Sequence, residues 1–134
     1  MIEHKKTLNV LKKPLFLAFF ALMALSITSC TEDGDITSPE VVISSPNDGE
    51  AFTIDDTIEI VGRATDETAL QTLNISSNLG INEDITSFDD PTDFPFNLAL
   101  TLDPATSPGE YSISLLATDT SGNTGESVVN IQIQ

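Results

Sequence analysis

Phe94-Pro95-Phe96-Asn97-Leu98-Ala99-Leu100-Thr101-Leu102 is the stretch that decides the fold of this chain. Its large apolar side chains fall on every second residue. In an extended strand successive side chains point to opposite faces, so one face here is wholly apolar and the other carries Pro, Asn, Ala and Thr. A helix would scatter the same residues around its circumference. The pattern therefore predicts a strand with one face in a core.

Reading outward, the same period of two recurs on both sides. Thr57-Ile58-Glu59-Ile60-Val61-Gly62-Arg63-Ala64 puts Ile58, Ile60, Gly62 and Ala64 on one face, with Glu59 and Arg63 on the other. Leu73 and Ile75 alternate with Thr72, Asn74 and Ser76, while Tyr111, Ile113, Leu115 and Ala117 alternate in a later strand and Val129, Ile131 and Ile133 in the last. Val41-Val42-Ile43 opens a first strand, closed by the turn formers Ser45-Pro46-Asn47-Asp48-Gly49. The weakest patterning lies from Asn78 to Asp93, which has room for one short edge strand and the acidic loop Asp89-Asp90-Pro91-Thr92-Asp93. Strands about ten residues apart, separated by Gly, Pro, Asn and Asp, predict an all-β, antiparallel sandwich of about seven strands over residues 39–134.

Several short motifs then point to a family. Pro39 with Val41 and Ile43, Ser45-Pro46-x-x-Gly49, Ala64-Thr65-Asp66-Glu67, Gly109-x-Tyr111 and Ala117-Thr118-Asp119-x-x-Gly122-Asn123 together resemble the bacterial immunoglobulin-like domains of surface and adhesion proteins. The layout is also similar to small Bacteroidetes lipoproteins of unknown function. The resemblance implies an immunoglobulin-like sandwich and says little about a ligand. Gly109-Glu110-Tyr111 fits a tyrosine corner, in which the phenol bonds a backbone group of the preceding loop. In the turn after Asp119, the carboxylate can accept backbone N–H groups while Gly122 takes the left-handed conformation that tightens a hairpin. The cysteine pair and core tryptophan of antibody domains are missing.

The N-terminus predicts export. Lys5, Lys6, Lys12 and Lys13 precede an uncharged apolar run from Leu15 to Ile27, too short for a permanent span of the bilayer. Leu25-Ser26-Ile27-Thr28-Ser29-Cys30 resembles the lipobox of bacterial lipoproteins, which implies a signal peptide over residues 1–29 and a lipidated Cys30 at the mature N-terminus. Residues 30–38 read as a flexible acidic tether, and acids soon after the cysteine resemble the signal that sends Bacteroidetes lipoproteins to the outer face of the outer membrane. Two or three acyl chains, palmitate among them, suffice for stable anchoring.

Charge and composition exclude whole classes of chemistry. The chain carries −16 overall, and without residues 1–29 it holds 20 acids against the single base Arg63. Such a surface repels a phosphate backbone, so nucleic acid is excluded as a partner. The only histidine, His4, lies in the signal, and no lysine or spare thiol follows Cys30. Serine–histidine and cysteine–histidine catalysis and a histidine or thiolate zinc site are excluded by that count. No catalytic residue is assigned, and an enzyme is not expected. Sugar stacking would have to use Phe52 and Phe88, the two aromatics outside the predicted stripes.

The sequence calls for no cofactor, and calcium is the one ion that its oxygen-rich inventory would suit. In the immunoglobulin-like topology the second and sixth of these strands finish at one pole. Asp66, Glu67, Asp119 and Asn123 meet there as candidate ligands, with Asp66 and Asp119 capping their own turns as the alternative. The tether reaches the domain at that pole too, leaving the loops Ser45–Asp56, Asn78–Asp93 and Asp103–Gly109 mostly at the far end. Asp56-Thr57-Ile58 resembles the short O-glycosylation motif of Bacteroidetes, with Thr57 as acceptor. These readings converge on a non-enzymatic, lipid-anchored outer-membrane protein of the cell surface, whose module binds or spaces proteins or glycans. A small-ligand or carbohydrate-binding accessory lipoprotein of a nutrient-uptake system is the alternative.

Overall fold

The computed structural model describes residues 34–134. The predicted signal segment, Cys30 and the first residues of the predicted tether lie outside the described residues.

The described chain forms eight strands: β1 (Glu40–Ser45), β2 (Glu50–Phe52), β3 (Thr57–Thr65), β4 (Leu70–Ser77), β5 (Ile81–Ile85), β6 (Asp93–Thr101), β7 (Gly109–Asp119) and β8 (Thr124–Ile133). They build two sheets, one ordered β1-β3-β6 and the other β2-β8-β7-β4-β5. This is an immunoglobulin-like sandwich with no helix among the described residues.

The eighth strand, β2, escapes a reading based on alternation because it is only three residues long. It pairs parallel with β8, Phe52 opposite Ile133, whereas every other pairing is antiparallel. The chain leaves β1 at the cis Ser45–Pro46 peptide and crosses to the other sheet. There Gly49 N–H donates to the Asn130 carbonyl at 2.7 Å, and the Asn130 backbone N–H donates to Asp48 Oδ1 at 2.9 Å.

The core forms where the predicted faces meet. Ile58, Ile60 and Ala64 of β3 and Phe96 of β6 face Leu73 and Ile75 of β4, Ile113, Leu115 and Ala117 of β7, and Val129, Ile131 and Ile133 of β8. Within the Phe94–Leu102 stripe Phe96 and Leu102 are buried, while Phe94, Leu98 and Leu100 are only half-buried against the core. β6 is an edge strand, so the opposite sheet covers its stripe incompletely. Pro95 sits on this edge, where a residue without an N–H removes a donor from an unpaired ladder. Gly62, paired with Phe96, has no room for a side chain. A Cβ there would run into the Phe96 ring and the Val42 carbonyl.

Strand directions fix the two poles. β3 and β7 run the same way and end at Thr65 and Asp119, beside the start of β1. β5 runs back toward this pole and β6 departs from it, so their connection, Thr86–Thr92, must lie there as well. Asp66 N–H donates to the Thr92 carbonyl at 3.1 Å and Leu70 N–H to that of Pro91 at 2.7 Å. This corrects the expectation for the Asn78–Asp93 segment. Only its first turn, around Gly80, stands at the far pole with Asn47–Gly49, Thr53–Asp56 and Asp103–Gly109.

Candidate functional site

Two turns at the near pole begin with the same tripeptide, Ala64-Thr65-Asp66 and Ala117-Thr118-Asp119. Each aspartate caps its own turn. Asp66 Oδ1 accepts the N–H groups of Thr68 and Ala69 at 2.9 and 2.8 Å, and Asp119 Oδ1 accepts those of Ser121 and Asn123, both at 2.8 Å. The turns are also joined to each other, since Thr120 N–H donates to the Ala69 carbonyl at 3.0 Å. Gly122, at φ 90°, closes the β7–β8 hairpin in the left-handed region that favours glycine.

The second oxygens differ. Asp119 Oδ2 accepts the Asn123 side-chain amide at 2.7 Å, so this fully buried carboxylate is hydrogen-bonded on both oxygens. Burial pushes its pKa up, but the hydrogen bonds from Asn123, Ser121 and Gly122 outweigh that and hold the carboxyl below the ordinary range. Asp66 is 8% exposed, and its Oδ2 is buried with no hydrogen-bond partner.

A third carboxylate joins them from the segment that precedes β1. Asp35 Oδ1 accepts Thr37 N–H at 2.9 Å, and its Oδ2 accepts the Thr68 hydroxyl at 2.5 Å. The Asp35 carbonyl accepts the Asn123 amide at 2.9 Å, so Asp35 is tied to both turns. The Thr68 hydroxyl, then the Thr37 N–H, holds the Asp35 carboxyl below its usual value. One carboxylate oxygen from each of Asp35, Asp66 and Asp119 lies within 4.8 Å of the other two.

The pole thus gathers a set of acids different from the one expected of the sequence. Asp66 and Asp119 come together, but Glu67 is exposed and lies outside the cluster, on the rim of an open groove with Thr37, Ser38, Glu40, Thr65 and Asp66. Asn123 stands beside the cluster and faces it as a donor, through its amide nitrogen. Asp35 takes the place expected of Glu67. In sequence it is one acid of a polar run, and nothing local marks it as part of the domain. The groove holds about 290 Å³, at or below the lower end of the range for small-molecule pockets, and it is open to solvent.

The remaining candidate residues lie elsewhere. The Tyr111 phenol donates to the Ser107 carbonyl at 2.8 Å, the geometry of a tyrosine corner, at the far pole. Thr57 is exposed at the start of β3, while the neighbouring Asp56 carboxylate turns back to accept the Thr53 N–H and hydroxyl. Phe52 and Phe88 are both half-buried against the core, one in β2 at the far pole and the other edge-on to Phe94 with ring centroids 5.0 Å apart. They line no common concavity, which corrects the idea of a two-aromatic sugar platform. Arg63, the single base among the described residues, pairs with Asp93 and holds its carboxyl below the usual range.

Residues 39–115 match the family described as the bacterial Ig domain. No curated protein matches the chain. Among solved structures, the fibronectin(III)-like modules of Clostridium thermocellum CbhA are 21% identical at a TM-score of 0.52, over 69% of this chain and 93% of that one. A modular endo-β-1,4-mannanase from Cellulomonas fimi is 15% identical at a TM-score of 0.47, and there the match spans 72% of this chain but only 19% of the mannanase.

Proposed function

The chain belongs to the bacterial Ig domain family, and from that premise we propose that it is a non-enzymatic, lipid-anchored envelope protein whose sandwich binds or spaces other proteins or glycans. The observation that carries this reading is the separation of the poles. The chain joins the domain at Asp35–Glu40, and the turns around Asp48, Asp55, Gly80 and Ser107 gather at the opposite end. A domain held at one pole by a lipid on Cys30 presents the other to its surroundings. The half-buried Phe52 and Phe88 and the shallow groove argue against the alternative of a carbohydrate or small-ligand carrier. Proximity to the membrane comes from the acyl chains, since the acidic domain is repelled by anionic headgroups.

Cys30→Ser tests the anchor. The substitution abolishes acylation and leaves the precursor uncut, seen as a mass that retains residues 1–29. A native mature protein without lipid on Cys30 would end the reading. Display on the outer face of the outer membrane is tested by protease treatment of intact cells. Degradation of the domain before lysis is expected, and protection until lysis places it on the periplasmic side.

A further inference from the structure

We propose that Asp35, Asp66 and Asp119 form a calcium site that clamps the tether onto the domain. Three carboxylates held this close repel one another unless a cation stands between them. The single base among the described residues, Arg63, is paired with Asp93 instead. The second observation is Asp66 Oδ2. A carboxylate oxygen that is buried and accepts no hydrogen bond from the protein is costly, and a coordinated cation would satisfy it and offset the neighbouring charges at once. The alternative of simple turn caps accounts for the Oδ1 atoms of Asp66 and Asp119 and leaves this oxygen unexplained.

The donors are all carboxylate oxygens, which suits a hard cation and not zinc or copper. Oxygens up to 4.8 Å apart fit around one calcium ion, because twice its bond length is about 5 Å. Magnesium, at about 2.1 Å per bond, would draw them closer and would demand a stricter octahedron. One oxygen from each carboxylate supplies three of the six to eight oxygens calcium takes, and water completes the set. Since Asp35 belongs to the tether and the other two to the turns ending β3 and β7, binding fixes the chain from Asp35 onward to the pole. The standoff and tilt of the domain then depend on the ion.

The test uses the full chain, freed of metal by chelation, and follows thermal unfolding in calcium chloride, in magnesium chloride and in sodium chloride of equal ionic strength. Calcium raises the midpoint well beyond sodium, which only screens repulsion, and beyond magnesium. Asp35→Asn removes that excess and weakens calcium binding by roughly an order of magnitude, since affinity follows the ligand charge. Asp55→Asn, which removes one exposed charge at the far pole, retains the excess. Hydrogen exchange of the unaltered chain gives a reading independent of any variant, in which the Thr37 amide slows with calcium and not with sodium. Equal stabilisation by sodium or magnesium, an excess that survives Asp35→Asn, or an unchanged Thr37 amide would each overturn the proposal.

Discussion

The turns after β3 and β7 start from the same three residues and end in different electrostatic states. The β7–β8 turn is a hairpin within one sheet, so the chain doubles back at once and brings Asn123 to Asp119 Oδ2. The β3–β4 turn crosses from one sheet to the other. Its next residues travel away, and nothing local returns to Asp66 Oδ2. An identical tripeptide therefore yields a carboxylate hydrogen-bonded on both oxygens in one place and one with an open oxygen in the other. The geometry of the connection, and not the capping residue, decides which carboxylate is left to seek a distant partner.

Four substitutions break or sharpen this contrast. Asp119→Ala removes the carboxylate that accepts the Ser121 and Asn123 N–H groups and the Asn123 side-chain amide. The melting temperature falls by roughly 10 °C or more, because three hydrogen bonds to a charged group are lost in a domain of this size. A drop no larger than that of Asp66→Ala, measured side by side without metal, would erase the asymmetry between the turns.

Gly125→Ala acts where the chain approaches both turns, since a Cβ there would collide with the Pro39 carbonyl. A backbone shift to relieve that contact costs about 1–3 kcal/mol in chemical denaturation. It also loosens the residues that precede Pro39, read as faster exchange of the Thr37 amide. An unaltered exchange rate would mean that Asp35 keeps its place without help from this close approach.

At the far pole Tyr111→Phe removes the phenol's hydrogen bond to Ser107 and costs about 1 kcal/mol. The loss is the same with and without calcium, because the corner is remote from the acidic pole. A calcium-dependent loss would show that the poles are coupled. The smallest effect is expected of Asp66→Asn in chelated protein. Asparagine keeps the Oδ1 cap and replaces the unpartnered oxygen with a donor among carboxylates, so the midpoint holds or rises slightly. A clear fall would show that Oδ2 had a partner after all.

Much of the fold was legible in residue order. The alternation in Thr57–Ala64 and Phe94–Leu102 marks the faces of β3 and β6, because a half-buried strand can place apolar groups only at every second position. Gly109-Glu110-Tyr111 and Asp119-x-x-Gly122 are local enough to be read as a corner and a hairpin. Two elements were not legible. β2 is too short to alternate and exists because Asp48 and Gly49 dock onto β8. The position of Thr86–Thr92 follows from the directions of β5 and β6 in separate sheets, which the spacing of strands does not encode.

The candidate site divides along the same line. Sequence by itself placed Asp66 and Asp119 in turns at one pole and offered capping as one of their two roles, because a cap needs only N–H groups two to four residues away and the order of strands brings the turns together. It also determined that any metal there meets oxygen, since nitrogen and sulfur ligands are absent after Cys30. Only the tertiary structure decided which acids converge. Asp35 enters and Glu67 stays outside, because Thr68 and Asn123 hold the tether against both turns while Glu67 faces solvent at the groove. Those bonds join residues 33 and 88 positions apart, and contacts over such distances depend on how the sheets stack, which no local pattern records.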